Sequence, residues 1–299
     1  MDLRPWTESD AASVSALLDP GGDPLWAAQG HRLHGPARDG ERWRRTLLAC
    51  HRDQVVGAGT VACNPVHAGR YPCAVEVTAG WRRHGVATAL VQALRELRPQ
   101  PLPLAGKIRE SDVAAWSFGR AMGGQVYQRC RCPRLDPMAA DVTAWCRAAL
   151  TAAERVTSMD ALPATQVAAL FEEQYRWVHE RWSPVSSLEW LSQISSATTA
   201  EASLAASSCA WRSGRVAAAV FALPEPDGSL TLVAETQHRD EADGTVLLSA
   251  ALARSLTASA DHGYRAVELD GHEEDPHLGP IVTELPVAAT SPLLLVELA

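Results

Sequence analysis

Arg82, Arg83 and His84 run directly into Gly85-Val86-Ala87-Thr88, and two carboxylates, Glu76 and Glu110, stand on either side of this run. Cationic side chains around a glycine suit an anion. If the chain turns at Gly85 into a helix, the first N–H groups of that helix have no acceptor inside it. They lie at the positive end of the helix dipole, so a phosphate or pyrophosphate would be held mainly by backbone. Gly85 permits close approach to the backbone and Ala87 is nearly as small. A carboxylate beside such a site can take a proton from a nucleophile. Glu76 and Glu110 are the nearest in sequence, and His67 and Tyr71 precede the same segment. The other reading of Glu76 is a solvated strand residue, and of the turn a basic connection with no ligand.

The elements that would position these groups are legible. Val75 and Val77 form a β-branched alternation that reads as a strand. Glu76 alternates away from them, toward the opposite face. Val86, Leu90, Val91 and Leu94 fall near one face of a helix. Neither G-x-x-x-x-G-K-[ST] nor G-x-G-x-x-G occurs here. Arg82-x-x-Gly85-x-Ala87 after a V-x-V strand instead resembles the coenzyme A pyrophosphate loop of the GNAT superfamily of acyl-CoA-dependent N-acyltransferases. That resemblance implies that Arg82, Arg83, His84, Gly85, Val86, Ala87 and Thr88 bind the pyrophosphate of acetyl-CoA, the acyl donor. It also implies that the backbone of Val75 and Val77 holds the pantetheine arm, with an amine attacking the thioester directly. The resemblance continues through 112–124, where Asp112, Ala115, Phe118 and Gly123 stand for the family's Asn, Ala, Phe and Gly. Gly119 occupies the place where many members carry a Tyr that protonates the departing thiolate.

Strand and helix signals follow in order. Leu3–Trp6 reads as a strand, Ala11–Leu18 as a helix stopped by the Pro20–Pro24 cluster, and Arg45–Cys50 and Val55–Cys63 as a hairpin joined by His51–Gln54. Leu25–Trp43 is polar and rich in His and Arg, and in a GNAT-like fold would help cover the acceptor site. Tyr71–Thr78, the loop and helix, a strand at Leu102–Ile108, a helix at Ser111–Met122 and a strand at Gln125–Cys132 complete one such domain. The connector after Pro133 contains a helix at Ala140–Ala153. The order then repeats, with strands at Arg155–Met159, Ser203–Trp211, Arg215–Leu223, Leu230–Thr236 and Arg265–Leu269. Helices are expected at Asp160–Trp182 and up to Ala260, a decayed helical segment at Asp270–Leu285 and a last strand at Ser291–Leu298. Without a gap, Arg239 falls on Arg82, Ala242 on Gly85 and Gly244 on Ala87. The expected fold is α/β (α+β): two GNAT-like domains in tandem, each a mixed, mostly antiparallel sheet with helices on both faces. The expected boundaries are 1–136, a connector at 137–153, and a degenerate copy at 154–299. Asp240, Glu241 and Asp243 set carboxylates around the second loop, which argues against an anion there.

The 299 residues carry a net charge of -8, which argues against nucleic acid as a partner and favours a neutral or cationic small molecule. Hydrophobic residues make up 46%, enough for packed cores, and no stretch is long enough to span a membrane. Seven cysteines without a disulfide-like framework read as free thiols in a reducing compartment, and the start of the chain has no apolar signal region. Cys130-Arg131-Cys132 lacks zinc-site spacing and reads as two thiols on one face of a strand, so no metal is expected. Trp177 and Trp182 lie on a helix that shapes acceptor pockets in the family, with core packing as the alternative. The expected function is a cytoplasmic, monomeric or homodimeric acetyl-CoA-dependent N-acetyltransferase for a small-molecule amine. A non-catalytic acyl-CoA-binding regulator and an O-acyltransferase are the alternatives.

Overall fold

The computed structural model describes residues 1–17, 33–151, 155–290 and 292–299. Among the described residues fourteen strands form two seven-stranded sheets. In chain order they are β1 (Asp2–Pro5), β2 (Arg44–His51), β3 (Gln54–Ala62), β4 (Tyr71–Val77), β5 (Leu104–Arg109), β6 (Gln125–Cys130) and β7 (Pro133–Leu135). Next come β8 (Arg155–Ser158), β9 (Ser208–Arg212), β10 (Arg215–Pro224), β11 (Leu230–Thr236), β12 (Val267–Asp270), β13 (Ala289–Thr290) and β14 (Leu293–Leu298). The α-helices among the described residues are α1 (Ala11–Ser15), α2 (Val86–Glu96), α3 (Val113–Ala121), α4 (Ala140–Leu150), α5 (Ala164–His179), α6 (Leu188–Glu201), α7 (Gly244–Asp261) and α8 (Leu278–Glu284). Among the described residues no helix is long and apolar enough to cross a membrane.

Contacts divide the chain into two units: one of Met1–Ile108, Asp112–Tyr127 and Leu295–Ala299, the other of Arg109–Ser111 and Gln128–Leu294. The first sheet runs β1-β2-β3-β4-β5-β14-β6 and the second β13-β7-β12-β11-β10-β9-β8. The boundaries expected at 136 and 154 are therefore displaced. Pro133–Leu135, read as part of a connector, is a strand of the second sheet. The last strand, read as the end of the second domain, is an inner strand of the first sheet. Its composition explains the placement: Leu293, Leu294, Leu295 and Val296 are all buried, as an inner strand covered on both faces requires.

In the first unit the pairing registers sort side chains onto two faces. Ala58 pairs with Glu76, Thr60 with Ala74, Leu48 with Ala58 and Thr46 with Thr60, so these share one face. Val14 and Leu17 pack there against Leu48 and Ala58. Leu47, Ala49, Val75 and Val77 lie on the other face and pack with Val86 and Leu90 of α2. Val86, Leu90, Val91 and Leu94 are buried, as their spacing predicts. Gly57 and Gly59 let α2 settle close. A Cβ at Gly59 would lie 3.0 Å from Leu94 Cδ1, and one at Gly57 3.0 Å from Val86 Cγ1.

Several expected elements shift. α1 ends at Ser15, and Leu18, the Pro20–Pro24 cluster and residues 25–32 lie outside the described residues. α6 has no counterpart in the sequence reading. β6 ends at Cys130, and Cys132 has φ of 44°, so the two thiols do not share a strand face.

β14 leaves β5 and β6 without their shared neighbour when it is removed. Deleting residues 292–299 should abolish cooperative unfolding of the first unit, since burying Leu295 and Val296 alone is worth roughly 1.5–3 kcal/mol each. Chemical denaturation followed by circular dichroism checks this, and a soluble truncated chain with an unchanged transition contradicts it.

Candidate functional site

β4 and β5 pair in parallel only at Tyr71↔Leu104 and Pro72↔Ala105. Beyond that the two strands part. The Thr78 N–H donates to Val56 O at 3.0 Å, toward β3, and the Tyr71 N–H donates to Pro103 O at 2.9 Å, toward the other side. Backbone direction alternates along a strand. Cys73, Val75 and Val77 therefore share Tyr71's direction; the Cys73 carbonyl still lies against Gly106 of β5, and Val75 and Val77 turn their peptide groups into the opening beyond it. The Val77 carbonyl is already engaged, accepting from Arg82 Nε at 3.2 Å.

After β4 the chain makes one 3-10 turn, Ala79–Trp81, and passes through two left-handed residues, Arg83 (φ 66°) and Gly85 (φ 77°). Gly85 caps α2, and a Cβ built on it meets nothing within 4 Å. The first helical bond runs from the Ala89 N–H to Gly85 O at 2.9 Å. The N–H groups of Val86, Ala87 and Thr88 thus point out of the helix start. Arg82, Arg83, His84 and Gly85 are exposed. Trp81 braces the turn, its ring 4.6 Å from His51 and 5.9 Å from His84. His84 Nδ1 lies 2.8 Å from Arg82 O, so that nitrogen carries the proton.

Glu76 stands on the face opposite α2, half-buried. An open depression of about 730 Å³ lies at the end of β4, lined among others by Ser13, Leu17, His51 and Thr78. The sequence reading missed a polar group on the Glu76 face. Buried His34 places Nδ1 2.7 Å from Thr60 Oγ1, which is 2.9 Å from Thr46 Oγ1. Glu110 is the other carboxylate close to the loop in sequence. It belongs to the second unit and binds Arg129 through both oxygens, at 3.2 and 2.8 Å, which holds its carboxyl below the usual range. His67 is buried, and Tyr71 packs edge-on against Trp43 at 5.1 Å. Gly119 faces β5, where a Cβ would lie 3.2 Å from Ile108 Cδ1.

The second unit repeats the frame. β11 pairs with β12 in parallel from Leu230↔Val267 to Val233↔Asp270, and beyond that only with β10, as far as Thr236. Glu235 occupies in β11 the place Glu76 occupies in β4, and it is buried. Burial first, then the neighbouring carboxylates of Asp275 and Asp270, push it well above the usual carboxylate range, and Arg239 opposes them. Trp177 donates through Nε1 to Thr236 O at 2.8 Å. Trp182 lies 4.5 Å from His179 and 5.2 Å from His272. Both tryptophans thus belong to the surroundings of Glu235 in the second unit.

The second loop corrects the ungapped match. The left-handed cap of α7 is Asp243 (φ 54°), not Ala242, so Asp243 stands for Gly85 and Gly244 for Val86. This loop is also closed. His277 Nε2 lies 2.8 Å from Arg239 O, and its imidazole covers Gly244, where a Cβ would fall 2.5 Å from the ring. The Gly244 N–H is used within the turn, donating to Glu241 O at 3.0 Å. Glu241 is buried on Arg215 at 2.8 Å, and Arg212 bridges to Asp243 at 3.3 Å.

No family model and no curated protein sequence matches this chain. Among solved structures, a GCN5-related N-acetyltransferase from Sphaerobacter thermophilus aligns over 99% of this chain and 94% of its own at 16% identity, with a TM-score of 0.67. A tandem GNAT protein from the clavulanic acid biosynthesis pathway aligns over 99% of this chain and 97% of its own at 16% identity and a TM-score of 0.60. The chain has the tandem GNAT fold. Within that fold, the loop of the first unit is open and basic, and the loop of the second is filled by its own side chains.

His277 leaves no room at Gly244. Gly244→Ala should destabilise the second unit by about 1–3 kcal/mol, the usual cost of overpacking. Urea denaturation measures this, and an unchanged midpoint would contradict the packing of His277 on that glycine.

Proposed function

We propose that this chain is an acetyl-CoA-dependent N-acetyltransferase acting on a small-molecule amine in the cytoplasm, with its first unit active. The observation that carries the reading is the parting of β4 from β5 directly ahead of the open turn Arg82–Thr88. Outward N–H groups of Val86, Ala87 and Thr88, with Arg82, Arg83 and His84 around them, suit the pyrophosphate of the nucleotide. The peptide groups of Val75 and Val77 suit the pantetheine amides, which would align the thioester carbonyl along β4. Positioning of this kind supplies much of the rate of a direct transfer.

In the transfer, the amine nitrogen bonds to the thioester carbon, the C–S bond breaks, and the amine's proton leaves. Glu76 is the assigned proton acceptor, directly or through one water, with His34, Thr60 and Thr46 sharing its face. Gly119 offers no hydroxyl to the departing sulfur, so the thiol takes its proton from solvent or from the acceptor itself. The net charge of -8 suits a cationic or neutral acceptor over an acidic one.

Two outcomes are expected. Titration calorimetry should give one acetyl-CoA per chain, lost in Gly85→Glu, because the new carboxylate stands beside the phosphates. A charge about 6 Å from a phosphate costs roughly 3 kcal/mol at an effective dielectric near 20. Two molecules per chain, or unchanged affinity in folded Gly85→Glu, would remove the second or the first loop assignment respectively. Glu76→Gln should lower kcat by about 10²–10⁴-fold while acetyl-CoA affinity stays unchanged. Tight binding with no coenzyme A release from a broad amine panel would identify an acyl-CoA-binding regulator instead.

A further inference from the structure

The place in the second unit that corresponds to the opening beside β4 is not apolar and not basic. β12 ends at Asp270, where its parallel pairing with β11 also ends. Two residues on, His272 bridges to Cys130, the last residue of β6. The Arg131 N–H donates to Gly271 O at 3.0 Å, and the Glu273 N–H donates to Arg129 O at 3.0 Å. These backbone bonds fix the two segments against each other. Gly271 packs close under Leu278, whose Cδ2 would lie 2.9 Å from a Cβ there.

We propose that Cys130, Asp270 and His272 bind one divalent transition-metal cation of the zinc class. One ligand atom from each, the Cys130 sulfur, an Asp270 oxygen and a His272 nitrogen, lies within 4.8 Å of the others. Tetrahedral zinc holds sulfur at about 2.3 Å and nitrogen or oxygen at about 2.0–2.2 Å. Neighbouring donors then stand roughly 3–4 Å apart, so small side-chain rotations close the site. A soft sulfur with an imidazole and one carboxylate selects zinc or cobalt over magnesium or calcium.

An independent observation points the same way. Glu235 is 2% exposed and places Oε1 3.7 Å from His272 Nδ1. The buried carboxyls of Glu235 and Asp275 face each other, and among the described residues no other group donates to Glu235 Oε2 or Asp275 Oδ2. Metal-bound histidines generally give their second ring N–H to a carboxylate, which orients the ring. Glu235 stands where that carboxylate belongs. The rings of Trp182 and His179, 5.2 and 5.8 Å from His272, limit how far the imidazole can turn. Three protein ligands leave the fourth tetrahedral position to water or a small donor.

The spacing of Cys130 and Cys132 gives no hint of this site. Cys132 is not among its ligands, and the other two come from a segment 140 residues later.

The test uses the full chain, stripped with a chelator and titrated with Co²⁺. One Co²⁺ per chain is expected, with a thiolate-to-cobalt charge-transfer band and the visible bands of a tetrahedral ion, both displaced by Zn²⁺. Cys130→Ser should remove the charge-transfer band, whereas Cys63→Ser, in the first unit, should leave it. His272→Ala and Asp270→Asn should each abolish tetrahedral binding, and Glu235→Gln should weaken it by about 10–100-fold. Zn²⁺ should also raise the Tm of the wild-type chain and not that of His272→Ala. Absence of the band, its survival in folded Cys130→Ser, or unchanged affinity in folded His272→Ala or Asp270→Asn overturns the proposal. The last two variants carry the test if Cys130→Ser does not fold.

Discussion

Parallel pairing between β4 and β5 lasts for two residues and stops. A backbone N–H or C=O turned away from its neighbour needs water or a ligand, since burying it alone is costly. That constraint organises the first unit. Peptide groups at Val75 and Val77 face the gap, and the same strand then delivers the chain to the start of α2. Gly57 and Gly59 seat α2 tightly on the sheet, so its outward N–H groups keep a fixed relation to the gap. An extended, amide-bearing molecule with a phosphate end matches both features in order along one line.

The second unit keeps the frame and reverses its chemistry. Its strand also runs on past its parallel partner, and a glutamate occupies the corresponding position. Around Glu235, however, stand acidic groups, aromatic rings and one cysteine, where the face of Glu76 carries His34, Thr46 and Thr60. At the helix start, Asp243 takes the left-handed position and His277 lies where Gly85 leaves space. Each change is local and small in volume. Together they exchange a surface suited to an anion for one suited to a cation, without altering strand order or helix placement.

Much of this was legible in the residues. The buried face of α2 follows from its period, and β11 has the bounds its alternation suggests. Other elements hide for physical reasons. α6 buries Ser195 and Thr199, whose hydroxyls donate to Leu191 O at 2.8 Å and Ser195 O at 2.7 Å. A helix that satisfies buried hydroxyls on its own carbonyls has no apolar stripe to read. His34 sits in a segment without periodicity and acquires meaning only through Thr60 and Thr46. The ungapped match anchored on Arg82 and Arg239 pairs Glu76 with Val233, two residues short of Glu235, and so puts Ala242 where Asp243 belongs.

β14 has a consequence for how the protein is made. The first unit includes residues 295–299, which are synthesised only after the whole of the second unit. At about 5–20 residues per second, its sheet waits on the order of ten to thirty seconds after Tyr127 is synthesised. During that interval β5 and β6 present open edges to other nascent chains.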